Sequence, residues 1–160
     1  TNPTSQPSSS PTSQPSSYPT NLIYNVDFQN LTESTDLYTA SLIGSYSLMD
    51  AILTNTPLEV LNAENMVYKS TIQSIYSGSL PVVQLLYRKG GLPINQQSVD
   101  GNSALFFACL WGQYEIVNYL LDLGADFTVA NSRGETPLSI ARKKGYSDIV
   151  LLLQQFGATQ

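Results

Sequence analysis

Histidine is absent from this chain of 160 residues, and the only cysteine is Cys109. Without histidine, the chain lacks the side chain that most often acts as a general base near neutral pH or activates a serine or cysteine nucleophile. A single cysteine excludes an internal disulfide framework and a metal cluster of the cysteine type. We therefore expect no intrinsic catalysis, no cofactor and no bound metal.

Charge is also scarce, at 12% of residues against about 25% in an average soluble protein. The net charge of −5 repels a phosphate backbone at long range, so nucleic acid is not expected as the main partner. The one local exception is the basic run Arg142, Lys143 and Lys144. No apolar run approaches the roughly 18 to 20 residues that a membrane span needs, so no span is expected.

The first 20 residues have a composition of their own. Proline stands at every fourth position from 3 to 19, separated almost entirely by Ser, Thr and Gln. Proline fixes φ and removes a hydrogen-bond donor, which predicts a disordered, extended tether. A ligand for an SH3-type domain and an O-glycosylated stalk are the alternatives. Residues 21–34 alternate apolar and polar side chains, and both a packed extension and a loose strand remain open for them.

A repeat of 33 to 34 residues begins near residue 35. Glycines stand at 44, 78, 112 and 145, and each lies between two short patterns typical of amphipathic helices. A small residue precedes each glycine by four positions: Ala40, Ser74, Ala108 and Ala141. An apolar pair follows each glycine by four and five positions: Leu48 and Met49, Val82 and Val83, Ile116 and Val117, Ile149 and Val150.

This spacing has a physical explanation in pairs of helices that stack. A glycine between two helices permits a positive φ, and the small residue before it allows a close approach to the neighbouring helix. Each helix pair then exposes an apolar face that only the next pair can cover. The pattern predicts a stack in which neighbouring units supply the core.

The two final units, "DGNSALFFACLWGQYEIVNYLLDLGAD" and "RGETPLSIARKKGYSDIVLLLQQFGA", resemble ankyrin repeats. The resemblance implies an all-α solenoid of helix-turn-helix units with short hairpin connections, over residues 35–158. A degenerate capping unit (35–66) and a divergent unit (67–99) would precede two clear units (100–132 and 133–158). Thr136 and Pro137 favour a helix start, as a capping hydroxyl followed by proline at the first helical position.

The resemblance also implies a function, because ankyrin repeats are recognition scaffolds that bind proteins through a concave groove and hairpin tips. We therefore expect a protein partner, and a chain that is a monomer or a fragment of a larger protein. Phe106 occupies the position where the family usually has histidine, so an apolar contact replaces a polar tie between units. The implied partner-binding positions are Tyr76, Val99, Asp100, Asn102, Leu110, Trp111, Ser132, Arg133, Glu135, Lys143 and Lys144.

Four of the notable side chains have structural alternatives. Leu105, Ala108 and Cys109 already supply the buried side of their helix, so Leu110 or Trp111 should face outward. Trp111 is interpreted either as an exposed binding residue or as a ring packed over the neighbouring unit. Lys143 and Lys144 also have a purely structural interpretation, because positive side chains stabilise the C-terminal end of a helix, where the backbone dipole is negative. Cys109 is expected to be a buried apolar residue rather than a reactive thiol.

Two functional hypotheses follow from these observations. In the first, the chain is a cytoplasmic protein-interaction module, with residues 1–20 as a linker. In the second, it is a stalked extracellular or cell-surface domain, glycosylated on its tail or at the sequon that begins at Asn30. The lack of disulfides favours the first hypothesis, and the evenly spaced tail favours the second.

Overall fold

The computed structural model describes residues 33–62 and 65–159. Within these ranges every regular element is an α-helix, and one isolated antiparallel bridge joins Gln97 to Ser103. The helices are α1 (Glu33–Leu42), α2 (Tyr46–Asn55), α3 (Leu58–Asn62), α4 (Met66–Tyr76), α5 (Leu80–Lys89), α6 (Ala104–Leu110), α7 (Tyr114–Asp122), α8 (Pro137–Lys144) and α9 (Ser147–Gln155). The predicted tether (1–20), most of the predicted extension (21–34) and Asn30 lie outside the described residues.

Eight of these helices form four pairs, which we call repeats 1 to 4: α1 with α2, α4 with α5, α6 with α7, and α8 with α9. The first helices pack against one another in the order α1, α4, α6 and α8. The second helices pack in the parallel order α2, α5, α7 and α9. This stack of helix pairs confirms the predicted all-α solenoid.

Helix α3 was not predicted from the sequence. It lies between repeats 1 and 2, packs against α1 and α4, and buries Leu61. Only one of its five residues, Leu61, is buried. A segment this short does not contain enough turns for helical periodicity to be recognised in the sequence.

The predicted turn geometry is confirmed at all four junction glycines. Gly44, Gly78, Gly112 and Gly145 have φ values of 64°, 72°, 71° and 80°, in the left-handed region that favours glycine. The small residues four positions earlier are all fully buried, as the close approach of neighbouring helices requires. The glycine spacing thus determines where each helix pair turns.

The junction glycines also provide space for the next repeat. A Cβ added at Gly112 would lie 2.8 Å from the ring of Tyr146, and one added at Gly78 would lie 2.9 Å from the amide oxygen of Gln113. Ser79 also lies above Gly44, but its hydroxyl oxygen is 3.7 Å from an added Cβ, an ordinary contact distance. The residue that follows each glycine therefore packs over the glycine of the preceding repeat.

Local capping signals position the final repeat. The hydroxyl of Thr136 accepts a hydrogen bond from the backbone N–H of Ser139, and the Ser139 hydroxyl accepts one from the N–H of Thr136. Pro137 occupies the first turn of α8. This reciprocal cap confirms the helix start that the sequence predicts at Thr136 and Pro137.

The core consists of two clusters of buried apolar side chains. One cluster contains side chains from each of the helices α1 through α5. The other begins at Ile75 in α4 and Val83 in α5 and continues through repeats 3 and 4. Cys109 and Phe106 both belong to the second cluster. Burial raises the pKa of the Cys109 thiol to about 12, which confirms the prediction of a buried residue of low reactivity.

Candidate functional site

The two residues before each junction glycine form a continuous series along the first helices. We call this series the pre-glycine row. Because α1, α4, α6 and α8 pack side by side in that order, their last turns lie next to one another. The row consists of Leu42 and Ile43, Tyr76 and Ser77, Leu110 and Trp111, and Lys143 and Lys144. Apart from Ser77, it is apolar or aromatic in repeats 1 to 3, and it is basic in repeat 4.

Trp111 lies at the centre of an aromatic cluster within the row. Its ring stacks on that of Phe107, with 5.1 Å between centroids, and meets Tyr76 of the preceding repeat edge-on at 5.2 Å. The geometry therefore matches the interpretation in which Trp111 packs over the neighbouring repeat. Trp111 and Leu110 are both half-buried, so neither is fully exposed and both keep part of their surface open to solvent.

Tyr76 is the open side of this cluster. Its side chain is 61% exposed, even though its ring contacts Trp111. The Gln113 side chain approaches the backbone oxygen of Tyr76, with 3.4 Å from Nε2 to that oxygen. Aromatic rings held in place by stacked neighbours lose little rotamer freedom on binding, so the cluster is a preorganised surface.

The hairpin tips hold most of the other predicted positions. Val99 is fully exposed, and Asp100, Ser132 and Arg133 are exposed as well. The backbone N–H and the hydroxyl of Ser132 both donate to the carbonyl oxygen of Asp100, at 2.9 Å each. The tips of two successive hairpins are therefore tied to each other.

Asn102 does not behave as predicted for a partner-binding residue. It is only 8% exposed, and its Oδ1 accepts a hydrogen bond of 2.9 Å from Asn131. Its backbone oxygen accepts a further bond from the Tyr68 hydroxyl, at 2.9 Å. Asn102 thus links its own hairpin to Tyr68 in α4 and to Asn131 in the connection between α7 and α8, in keeping with the need of buried polar groups for partners inside the protein.

Asn131 was not singled out from the sequence, yet it organises the last hairpin. Its Oδ1 accepts hydrogen bonds from the backbone N–H groups of Arg133 and Glu135, at 3.0 Å and 2.9 Å. Its Nδ2 also donates to the Glu135 carboxylate, at 3.1 Å. An asparagine three positions before a glycine in a hairpin is the available sequence signal, since its side chain mimics a backbone turn.

The basic end of the row contains one ion pair. Lys143 Nζ lies 3.1 Å from Glu135 Oε1, whereas Lys144 and Arg142 are exposed. Hydrogen bonds from Asn131 and then from Lys143 hold the pKa of Glu135 below its usual value. Lys143 and Lys144 also end α8, where positive charge is favoured, so both of their predicted roles are compatible with this geometry.

The structure adds two row residues that the sequence analysis passed over. Leu42 and Ile43 are 48% and 53% exposed, at the same offset from Gly44 that Tyr76 and Ser77 have from Gly78. That offset was the signal that could have identified them. They extend the apolar part of the pre-glycine row into repeat 1.

The second helices present a different surface. Between α7 and α9 lies an open depression of about 320 Å³ bordered by Tyr114, Asp148 and Leu151. In the part of the chain that the structure describes, no group of three potential metal ligands comes together. The helices at residues 33–62 and 65–159 are all too short or too polar to cross a membrane.

The arrangement of helix pairs agrees with a comparison against known families. A family model described as ankyrin repeats (3 copies) matches residues 37–131 and 71–159. The chain belongs to the ankyrin repeat family. Ankyrin repeats generally mediate protein–protein interaction, so the exposed surfaces of this ankyrin-repeat stack are candidate interfaces.

Relatives match this chain over limited parts of their own length. Serine/threonine-protein kinase TNNI3K of Mus musculus is 30% identical over 142 residues, which is 82% of this chain and 17% of the kinase. Ankyrin repeat and SAM domain-containing protein 6 of Rattus norvegicus is 33% identical over 105 residues, or 66% of this chain and 12% of that protein. Protein phosphatase 1 regulatory subunit 27 of Mus musculus is 35% identical over 82 residues, about half of each chain.

Proposed function

We propose that this chain is a non-catalytic scaffold that binds a protein partner through the pre-glycine row and the adjoining hairpin tips. The observation that carries the proposal is the aromatic cluster, in which Tyr76 is largely exposed and is supported by the half-buried Trp111. Tyrosine and tryptophan dominate the energy of many interfaces, particularly where packing already fixes their orientation.

The hairpin tips contribute a second set of exposed side chains, and the ion pair of Lys143 with Glu135 links the last hairpin to the row. Val99 is apolar and fully exposed, while Asp100, Ser132 and Arg133 are exposed polar residues of the same tips. Interfaces commonly place a polar rim around apolar anchors. Glu135 and Lys143 would then join the rim as an ion pair, whereas Asn102 supports it from inside.

The absence of catalysis belongs to this proposal. Ankyrin-repeat families are typically non-catalytic, and the kinase named among the relatives matches this chain over only 17% of its length. A cytoplasmic location stays a prediction. The alternative of a glycosylated stalk depends on residues 1–20 and Asn30, which lie outside the described residues.

The proposal is tested by capturing proteins from an extract of the source cells with the full chain and identifying them by mass spectrometry. Tyr76→Ser removes the exposed ring of the row, and Tyr114→Ser is the matched control on the second helices. We expect a specific partner to be lost with Tyr76→Ser and kept with Tyr114→Ser. Equal helicity by circular dichroism must be shown for both variants. Loss with Tyr114→Ser alone would contradict the proposal.

A further inference from the structure

The pre-glycine row changes chemical character along the stack. Apart from Ser77, repeats 1 to 3 contribute apolar or aromatic side chains, and repeat 4 contributes Lys143 and Lys144. The range 133–158 contains four of the seven basic residues of the chain but only two of its twelve acidic residues. A basic end on a protein with a net charge of −5 is a local feature rather than a general property of the surface.

Little in the described structure neutralises this basic end. Of the four basic residues, Lys143 has an ion pair with Glu135, and its side chain is still 68% exposed. Lys144 and Arg142 extend from the same turn of α8 and are exposed. Their positive charge is therefore available to a ligand, next to the aromatic cluster of repeat 3.

We propose that the partner presents an extended segment with an apolar side chain and, about three residues away along the segment, a pair of carboxylates. The proposal rests on the proposed function, because it assigns a chemistry to the same surface. The apolar side chain packs against Tyr76 and Trp111, and the carboxylates lie beside Lys143 and Lys144. Charge complementarity selects an acidic segment over a neutral or basic one.

The spacing follows from the distance between packed helices. Helices in contact have axes about 8–10 Å apart, and α6 packs directly against α8. Trp111 and Lys144 occupy the same position in successive repeats, so they are separated by about that distance. An extended chain advances about 3.3 Å per residue, which places the carboxylates about three residues from the apolar anchor.

Labelled peptides of twelve residues test this inference by fluorescence anisotropy against the full chain. Each peptide has a Leu-Phe anchor in a Ser/Gly background and, three and four residues away, two Glu, two Gln or two Lys residues. A second set has the acidic residues on the other side of the anchor. We expect the better-oriented Glu peptide to bind about threefold to tenfold more tightly than its Gln counterpart. The difference should shrink at high salt, because exposed charges are screened.

Two variants locate the effect. Lys144→Glu leaves the ion pair of Lys143 with Glu135 in place and should remove the preference for the Glu peptide, because the new carboxylate offsets the positive charges that remain beside it. Arg88→Glu, on the second helix of repeat 2, has the same change in net charge and should preserve the order. Trp111 is the only tryptophan of the chain, so a change in its emission on binding of these Trp-free peptides would confirm the location.

The outcomes separate this inference from the proposed function. If Glu, Gln and Lys peptides bind equally and all are lost with Tyr76→Ser, the row binds apolar segments and the charge assignment is wrong. An equal effect of Arg88→Glu and Lys144→Glu would show that only net charge matters, which also overturns the inference. If no peptide binds, the inference is overturned, while the capture experiment with Tyr76→Ser still decides the proposed function.

Discussion

Repeats 3 and 4 are joined at their hairpins by buried hydrogen bonds, whereas the connection between repeats 1 and 2 contains the short helix α3. At repeats 3 and 4, the hydrogen bond between Asn102 and Asn131 joins the hairpins. At repeats 1 and 2, α2 and α5 share an apolar cluster and an exposed ion pair of 2.6 Å between Lys89 and Asp50. Exposed ion pairs contribute little, so apolar burial dominates at that end.

This difference predicts that the two halves of the stack respond differently to substitutions. The buried hydrogen bond between Asn102 and Asn131 requires defined geometry, which keeps the hairpins before α6 and α8 in fixed positions relative to each other. Apolar contacts at repeats 1 and 2 tolerate substitution better, provided that volume is conserved. The C-terminal half should therefore be more sensitive than the N-terminal half to single changes.

The largest effect is expected from a leucine substitution in each core cluster. Leu120→Ala removes a fully buried side chain from the cluster of repeats 3 and 4, and should lower the free energy of unfolding by about 2–5 kcal/mol. Leu53→Ala is the matched change in repeat 1, where the side chain retains slight exposure, and should cost less. Urea unfolding of both variants measures the comparison, and an equal or larger loss for Leu53→Ala would contradict it.

A smaller effect is expected from the asparagines. Asn131→Ala deprives Asn102 and two backbone N–H groups of their partner and should cost about 1–3 kcal/mol. Asn55→Ala removes an exposed side chain that bonds only its own helix, at the carbonyl of Ala51, and should change the stability by less than about 0.5 kcal/mol. Thermal unfolding compares the two. Similar losses would show that the hairpin bonds are not specific stabilising contacts.

The smallest effect is expected on the stability of the protein at acidic pH. Because its partners lower the pKa of Glu135 in the folded state, Glu135 contributes stability above its unfolded pKa of 4.5, and this is lost as pH falls through the lowered value. Glu135→Gln should therefore show a shallower loss of thermal stability between pH 5 and about pH 3 than the wild type. Glu59→Gln in α3 serves as the control. An unchanged acid profile for Glu135→Gln would exclude this linkage.

The parts of the fold that depend on local chemistry were predictable. Junction glycines, the small residues before them and the Thr136 cap follow from backbone geometry, and each is recognisable within a few residues of sequence. The hydrogen bond between Asn102 and Asn131 was not predicted, because it joins hairpins whose distance depends on stacking. For the same reason, the sequence left open whether Trp111 is an exposed binding residue or packs over the neighbouring unit, because its contact with Tyr76 joins two different repeats.

Exposure along the pre-glycine row was only partly predictable. Tyr76 was predicted as a binding position, whereas Leu42 and Ile43 were missed, although they lie at the same offset from Gly44 that Tyr76 and Ser77 have from Gly78. The family pattern places a residue at a position in the repeat, but neighbouring side chains decide how much of it remains exposed. Asn102 illustrates this, since its position is that of a contact residue and its side chain is buried.

The contacts above the junction glycines have a consequence for the engineering of this chain. Above successive glycines lie Ser79, Gln113 and Tyr146, three side chains of increasing size. Ser79 lies at an ordinary contact distance from a Cβ added at Gly44, whereas the amide of Gln113 and the ring of Tyr146 lie closer to the glycine below them than an added Cβ allows. Beyond the backbone strain that all three glycines share, replacement by alanine should therefore be hardest to accommodate beneath the Tyr146 ring, because the flexible end of Gln113 can move aside and Ser79 need not move.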